Sequence, residues 1–352
     1  MIELGLQFYF QNKTLNKYLQ LNNDVVEFYE TYHNKLHHLK YFEGHDSNYN
    51  DHKTDLLFKT IYDKELPETL LFQGDSWADQ INHAEGVDLL LKQFGADNNL
   101  NVINAGIPSF APSPMTVQLQ VLRQDFNFKP TYVAAIIDQT DVGDELCRYA
   151  SKLEKEANGH LIAVKPENIY SKEIFSTQRY LENQKIMRQD ALGLTRLYHM
   201  LALRLDIREH KQKKRCGWNE IIRPIAKDIS EEETRAFQET IQGYIDEVFA
   251  GNEVKHLFLI SHPHRGHLDV FKDENYKNYT KALYESVVQS HEYSDKITLI
   301  DFSENFQQRY SSFNINEIFR EDDRASHLSN TAYLKIFMPE ILQNITNELS
   351  DE

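Results

Sequence analysis

The chain has 352 residues, 41% of them hydrophobic and 26% charged, enough for one large α/β domain with additions or for two modest domains. A formal net charge of −16, from 54 acids against 38 Lys and Arg, disfavours phosphate backbones and anionic lipid, so neither nucleic acid nor a membrane is an expected partner. Two cysteines (Cys147 and Cys216) make no disulfide framework, no apolar window of about 18 residues occurs, and the start lacks a basic-then-apolar leader; together these point to the cytoplasm.

Residues 1–66 are rich in Asn, Tyr, His, Lys and Asp and read as a helical or irregular extension, with Leu15, Leu19, Val26, Tyr29 and Leu36 at rough helical spacing. His33 and His37 stand four apart, but no Glu follows His33, so the zinc-protease pattern is absent. Residues 67–352 read as a second domain. Short apolar runs at 69–73, 101–104, 131–138, 254–260 and 296–301 predict five strands, the third apolar throughout and therefore buried on both faces. Helical patterns follow at 77–94, 115–126, 276–290 and 329–349, the last with Ser329 as N-cap. Residues 145–250 read as a mostly helical insertion, strongest at 196–208 and 231–249, and the basic run 211–215 reads as a solvated helix end. Strands alternating with helices pair in parallel through right-handed crossovers, which predicts a five-stranded parallel sheet in a three-layer α/β/α sandwich. Such sheets bind ligands outside the carboxyl ends of their strands.

Gly74-Asp75-Ser76 falls at such an end, where the first strand turns into a helix. A serine there projects its hydroxyl from the sheet edge beside free helical N–H groups, and needs a neighbouring base to become a nucleophile. The tripeptide alone decides little, since average residue usage produces it by chance in about one in ten chains of this length. Three further stretches fall at corresponding ends: Asn104-Ala105-Gly106, Asp138-Gln139-Thr140-Asp141, and the segment from Asp322 to Ser329 that contains His327.

In the order of these blocks, over roughly residues 68–345, the chain resembles the SGNH/GDSL hydrolase superfamily. The resemblance implies a flavodoxin-like sandwich, an esterase activity without cofactor or metal, and acyl substrates that are often acetyl groups on sugars. It implies Ser76 as nucleophile, His327 as general base, and an oxyanion hole from the N–H groups of Ser76 and Gly106. Two positions depart from the family pattern. Thr140 stands where the family has asparagine, with Gln139 as a possible substitute, and losing one oxyanion donor costs about 2.7–4 kcal/mol in the barrier. Position 324 is Arg where the family has the triad acid, so Asp323, four residues before His327, takes that role, with Asp322 next.

The run after the fourth strand, with His262, His264, Arg265 and His267, suits substrate hydroxyls or an anionic group as well as it suits a structural loop, and its spacing matches no zinc signature. Asp138, Asp141, Asp144 and Glu145 form an acidic group that could hold Mg²⁺, but no Gly-rich phosphate loop accompanies it, so Asp141 reads as packing beneath the site and the rest as caps on local backbone. The expectation is an ester hydrolase working through an acyl-enzyme on a small-molecule or glycan ester. Its rivals are an O-acyltransferase moving acetyl onto a glycan, and a non-catalytic binding or scaffold protein on a decayed hydrolase fold.

Overall fold

The computed structural model describes residues 53–165, 229–265, 279–321, 323 and 325–351, with isolated positions between 3 and 36 and between 194 and 198. The chain divides into two units, Met1–Leu56 with Lys165–Cys216, and Leu57–Val164 with Gly217–Glu352. In the first unit, Phe28 and Tyr32 lie four apart on helical backbone and their rings meet at 4.8 Å, both buried, as is Leu36 one turn on. His33, His37 and the basic run 211–215 lie outside the described residues.

The second unit is built on strands β1 (Lys59–Tyr62), β2 (Glu68–Gly74), β3 (Leu100–Gly106), β4 (Tyr132–Ile136), β5 (Leu153–Lys155), β6 (Leu161–Val164), β7 (His256–Ser261) and β8 (Ile297–Asp301). Its helices are α1 (Ser76–Asp79), α2 (Val87–Asn98), α3 (Pro112–Phe126), α4 (Thr140–Asp144), α5 (Glu231–Phe249), α6 (Tyr279–Ser290) and, after shorter turns, α7 (Met338–Asp351). Six strands form one sheet in the order β1-β3-β2-β4-β7-β8, parallel except where β1 pairs antiparallel with β3. The five expected strands are all present. The sixth, β1, comes from the stretch read as irregular extension, because an edge strand of four residues with only Ile61 buried leaves no apolar run in the sequence. The hairpin β5–β6 likewise interrupts the segment read as helical.

Counting the parallel strands alone, the spatial order is second-first-third-fourth-fifth, the doubly wound arrangement whose switch point lies between β2 and β4. Leu70, Phe72, Tyr132, Ala134, Ile136, Phe258, Ile260 and Ile300 point to one face and pack against α1, α2 and α7 in a single apolar core. The opposite face meets α3, α5 and α6. There the buried Gln73 amide donates to Gln118 Oε1 (2.8 Å) and the Met115 carbonyl (3.2 Å) and accepts from Tyr244 O–H (3.0 Å). An unpaired amide at that depth would cost about 1–3 kcal/mol, so these bonds lock the end of β2 to α3 and α5 one residue before the Gly-Asp-Ser turn. Ser230 begins α5 with a capping box, its Oγ accepting from Glu233 N–H at 3.1 Å while Glu233 Oε2 accepts from Ser230 N–H at 2.8 Å.

Cys147 is disulfide-bonded, so cysteine usage does not support the reducing compartment expected from its scarcity. Among the described residues no helix is long and apolar enough to cross a membrane.

Candidate active site

The strand β2 ends on Gly74, whose φ is +147° and whose absent Cβ would lie 2.4 Å from the Ile136 carbonyl oxygen of β4. This glycine lets the chain turn sharply at the switch point. Asp75 then caps α1, its Oδ1 accepting from Trp77 N–H at 2.7 Å. Ser76 opens the helix half-buried, with an N–H that has no intrahelical acceptor. Within α1, the Trp77 carbonyl accepts from Tyr333 O–H (2.9 Å), and the fully buried Trp77 ring lies 6.1 Å from that of His327.

His327 arrives on a loop fastened on both sides. Its carbonyl accepts from Arg320 N–H, and Leu328 bridges Phe319 and takes a 2.6 Å bond from Gln80 Nε2. Ser329 caps the following helical turn through Ala332 N–H, as its position predicts. The imidazole Nε2 is 2.7 Å from Ser76 Oγ, and Nδ1 is 2.5 Å from Asp323 Oδ2. Asp323 Oδ1 accepts from Ala325 N–H, and Ser326 turns through φ +59°, so the extra residue between acid and histidine is absorbed in a left-handed kink. Burial opposes ionisation of Asp323, but the hydrogen bond and charge of His327 outweigh it and hold the carboxyl below its usual range. An ionised Asp323 can only accept, so Nδ1 carries the proton and Nε2 faces Ser76 as an acceptor. The alternative acid, Asp322, lies outside the described residues.

Several expected site residues are placed otherwise. Gly106 N–H is occupied within its own turn, donating to Asn104 Oδ1 at 3.1 Å. The glycine is needed there for close approach, since a Cβ would lie 2.3 Å from Asp79 N on α1. Thr140 is committed as well, its N–H (2.8 Å) and hydroxyl (2.7 Å) both donating to Asp138 Oδ1. His262 is fully buried rather than substrate-facing. Its Nδ1 donates to the Pro263 carbonyl and its Nε2 accepts from Tyr310 O–H, both at 2.9 Å, and its ring lies 4.6 Å from that of Trp77, tilted by 34°. Burial drives its pKa down to about 3, so it stays a neutral core ring. His264 is held by its N–H to Gln139 Oε1, Arg265 donates to Asn316 Oδ1, and His267 lies outside the described residues.

What the sequence missed is that Asp75 joins the acidic group, beside Ser76. Oxygens of the buried Asp75, Asp138 and Asp141 lie within 4.8 Å of one another, and Asp75 Oδ2 is 3.0 Å from Ser76 Oγ. Burial, reinforced by Asp138, pushes Asp75 well above the carboxylate range, and burial lifts Asp138 to about 7 against its bonds from Thr140. Asp141 is raised by burial and by the other three aspartates, Asp144 is raised to about 6 against Arg148, and Glu145 to about 7 against its bonds from Ser113. In the unfolded chain these groups ionise near pH 4. Between about pH 4 and 7 the native state therefore holds more protons than the unfolded one, and stability falls as pH rises. Thermal unfolding followed by circular dichroism should show a midpoint that drops from pH 5 to pH 8. Glu145→Gln, which keeps an acceptor for Ser113 N–H, should flatten that drop; an equally steep fall in the variant excludes Glu145 as a source.

No protein-family profile matches the sequence, and no curated protein does. The chain is similar to solved esterases and acylhydrolases. An acetylxylan esterase from Geobacillus stearothermophilus is 13% identical, with 80% of this chain and 95% of that one covered at a TM-score of 0.38. A lipase/acylhydrolase from Enterococcus faecalis is 14% identical over 80% and 96% of the two chains, also at 0.38. An alpha/beta hydrolase enzyme from the metagenome of Lake Arreo, Spain, is 13% identical over 76% and 91%, again at 0.38.

Proposed function

We propose that the protein is a serine hydrolase that cleaves acyl esters through an acyl-enzyme on Ser76. One observation carries the reading: Ser76 Oγ meets His327 Nε2 at 2.7 Å across 251 residues of sequence, with Asp323 on the other nitrogen. A core histidine has no reason to keep an acceptor nitrogen on a half-buried serine at the switch point of a doubly wound sheet.

In this mechanism Ser76 Oγ attacks the ester carbonyl as its proton passes to His327 Nε2, and Asp323 stabilises the imidazolium. The tetrahedral oxyanion takes the N–H of Ser76. Collapse breaks the bond to the alcohol, which leaves with the proton from His327. Water then attacks the acyl-enzyme, His327 takes the water's proton and returns it to Ser76, and the carboxylic acid departs. The finer assignment, an acetyl ester on a carbohydrate, rests on the motif resemblance. Because Gly106 N–H and Thr140 Oγ are committed elsewhere, turnover should be slow, each missing donor costing about 10²–10³ in kcat.

The same two commitments favour one rival, a binding protein on this fold. A fluorophosphonate probe followed by peptide mass mapping separates the two. The hydrolase reading expects the adduct on Ser76 and none in Ser76→Ala, with measurable hydrolysis of p-nitrophenyl acetate. An unlabelled Ser76 in folded protein supports the binding reading instead.

A further inference from the structure

Ser76 Oγ has one proton and two apparent acceptors, His327 Nε2 at 2.7 Å and Asp75 Oδ2 at 3.0 Å. Neutral imidazole protonated on Nδ1 can only accept at Nε2, so the serine proton belongs to His327. The contact from Oγ to Asp75 Oδ2 then needs a proton from the carboxyl side. Resting on the reading of Ser76 as nucleophile, we propose that Asp75 is a positioning residue: its carboxyl is protonated on Oδ2, donates to Ser76 Oγ, and thereby directs the serine proton to His327.

Three features support the assignment independently of that proton count. Asp75 Oδ1 already accepts Trp77 N–H, so a carboxyl proton has its place on Oδ2, the oxygen that faces Ser76. Asp75 is 2% exposed. The charges around it are mostly acidic: Asp138 and Asp141 within 4.8 Å, then Asp144, with His327 across the serine. Asp79 on its own helix and the hydroxyls of Tyr284 and Tyr333 complete the titratable groups nearby, and Arg148 pairs with Asp144 at 3.0 Å. Buried carboxylates so close cannot all ionise and must share protons. Burial and Asp138 together hold Asp75 well above the ordinary range.

The consequence is chemical. A donor on one lone pair of Oγ leaves the other free to attack, and the bond strengthens as alkoxide charge develops. An ionised Asp75 would instead draw the hydroxyl proton away from His327. Reactivity should therefore fall on an alkaline limb as Asp75 loses its proton.

The test is the rate of fluorophosphonate labelling at Ser76 as a function of pH. Asp75→Ala should label about 10- to 100-fold more slowly, the worth of a hydrogen bond to a charged group. Asp75→Asn, whose oxygen can accept Trp77 N–H while its amide donates to Oγ, should restore most of that loss and lack the alkaline limb. Asp138→Asn, which removes a negative neighbour, should move the limb to lower pH. The inference is overturned by a folded but inert Asp75→Asn beside a labelled wild type, by Asp75→Ala labelling as fast as wild type, or by a limb that persists in Asp75→Asn. If Asp75→Asn does not fold, an unmoved limb in Asp138→Asn overturns it as well. A wild type that never labels at Ser76 sinks the hydrolase reading and this inference together.

Discussion

With His327 replaced by alanine, kcat for a soluble acetyl ester should fall by about 10⁴-fold or more, the size of loss seen when one member of a cooperating triad is removed. KM should change little, because the imidazole contacts the serine rather than the bulk of a substrate. The fold should survive: the histidine side chain is 15% exposed, and its loop is held by Arg320 N–H, the Phe319–Leu328 bridge and Gln80 rather than by the ring. Asp323→Asn should cost about as much, since an amide can donate to Nδ1 and turn the wrong tautomer toward Ser76. The double variant should then be scarcely worse than either single one, because residues that act as a unit lose their effect together. Steady-state kinetics on the three variants decide the matter. Losses that multiply would show that the two side chains act independently, and a fully active His327→Ala would remove the base from the scheme.

The sheet was legible because its parallel strands are short, largely apolar runs, the central ones buried on both faces, as in the fully buried YVAAI of β4. The meeting of Ser76 and His327 was legible from the motif resemblance together with position: each stands where a strand or loop enters a helix at the same edge of the sheet. The oxyanion donors were not, although the signal lay in plain view. Five times at this edge an Asx side chain accepts the N–H two residues on: Asp75 from Trp77, Asn104 from Gly106, Asp138 from Thr140, Asp301 from Ser303 and Asp323 from Ala325. That is local Asx-turn chemistry, and it consumes the N–H of Gly106 that the motif pattern assigned to a substrate. His262 misled for another reason. A polar residue just past a strand reads as loop, and nothing in the spacing reveals that Trp77, Phe302, Phe337 and Tyr310 close around it. The hairpin β5–β6 did carry a cue, the Asn158-Gly159 pair at its turn, hidden inside a stretch whose overall pattern is helical.

Gly74→Ala should be strongly destabilising. The new Cβ would sit 2.4 Å from the Ile136 carbonyl oxygen and 3.0 Å from Ala78 Cβ, at a φ of +147° that L-residues avoid. Ile136 cannot yield, because β4 is paired on both sides, with Gly74 of β2 and with Ile260 of β7. Overpacking costs about 1–3 kcal/mol and a forced backbone conformation about 1–3 more. At roughly 2–4 °C per kcal/mol, the thermal midpoint should drop by about 10 °C. Gly243→Ala is the matched control: it lies inside α5 with nothing within 4 Å of its Cβ position, and alanine there should stabilise by up to about 1 kcal/mol. Labelling should separate the two variants as well, since the strain at position 74 falls on the peptide that carries Asp75 and Ser76, while position 243 is remote from it in the chain. Equal midpoints for the two variants would mean that β2 and β4 can part without cost, and the turn that presents Ser76 would then not be fixed by the sheet.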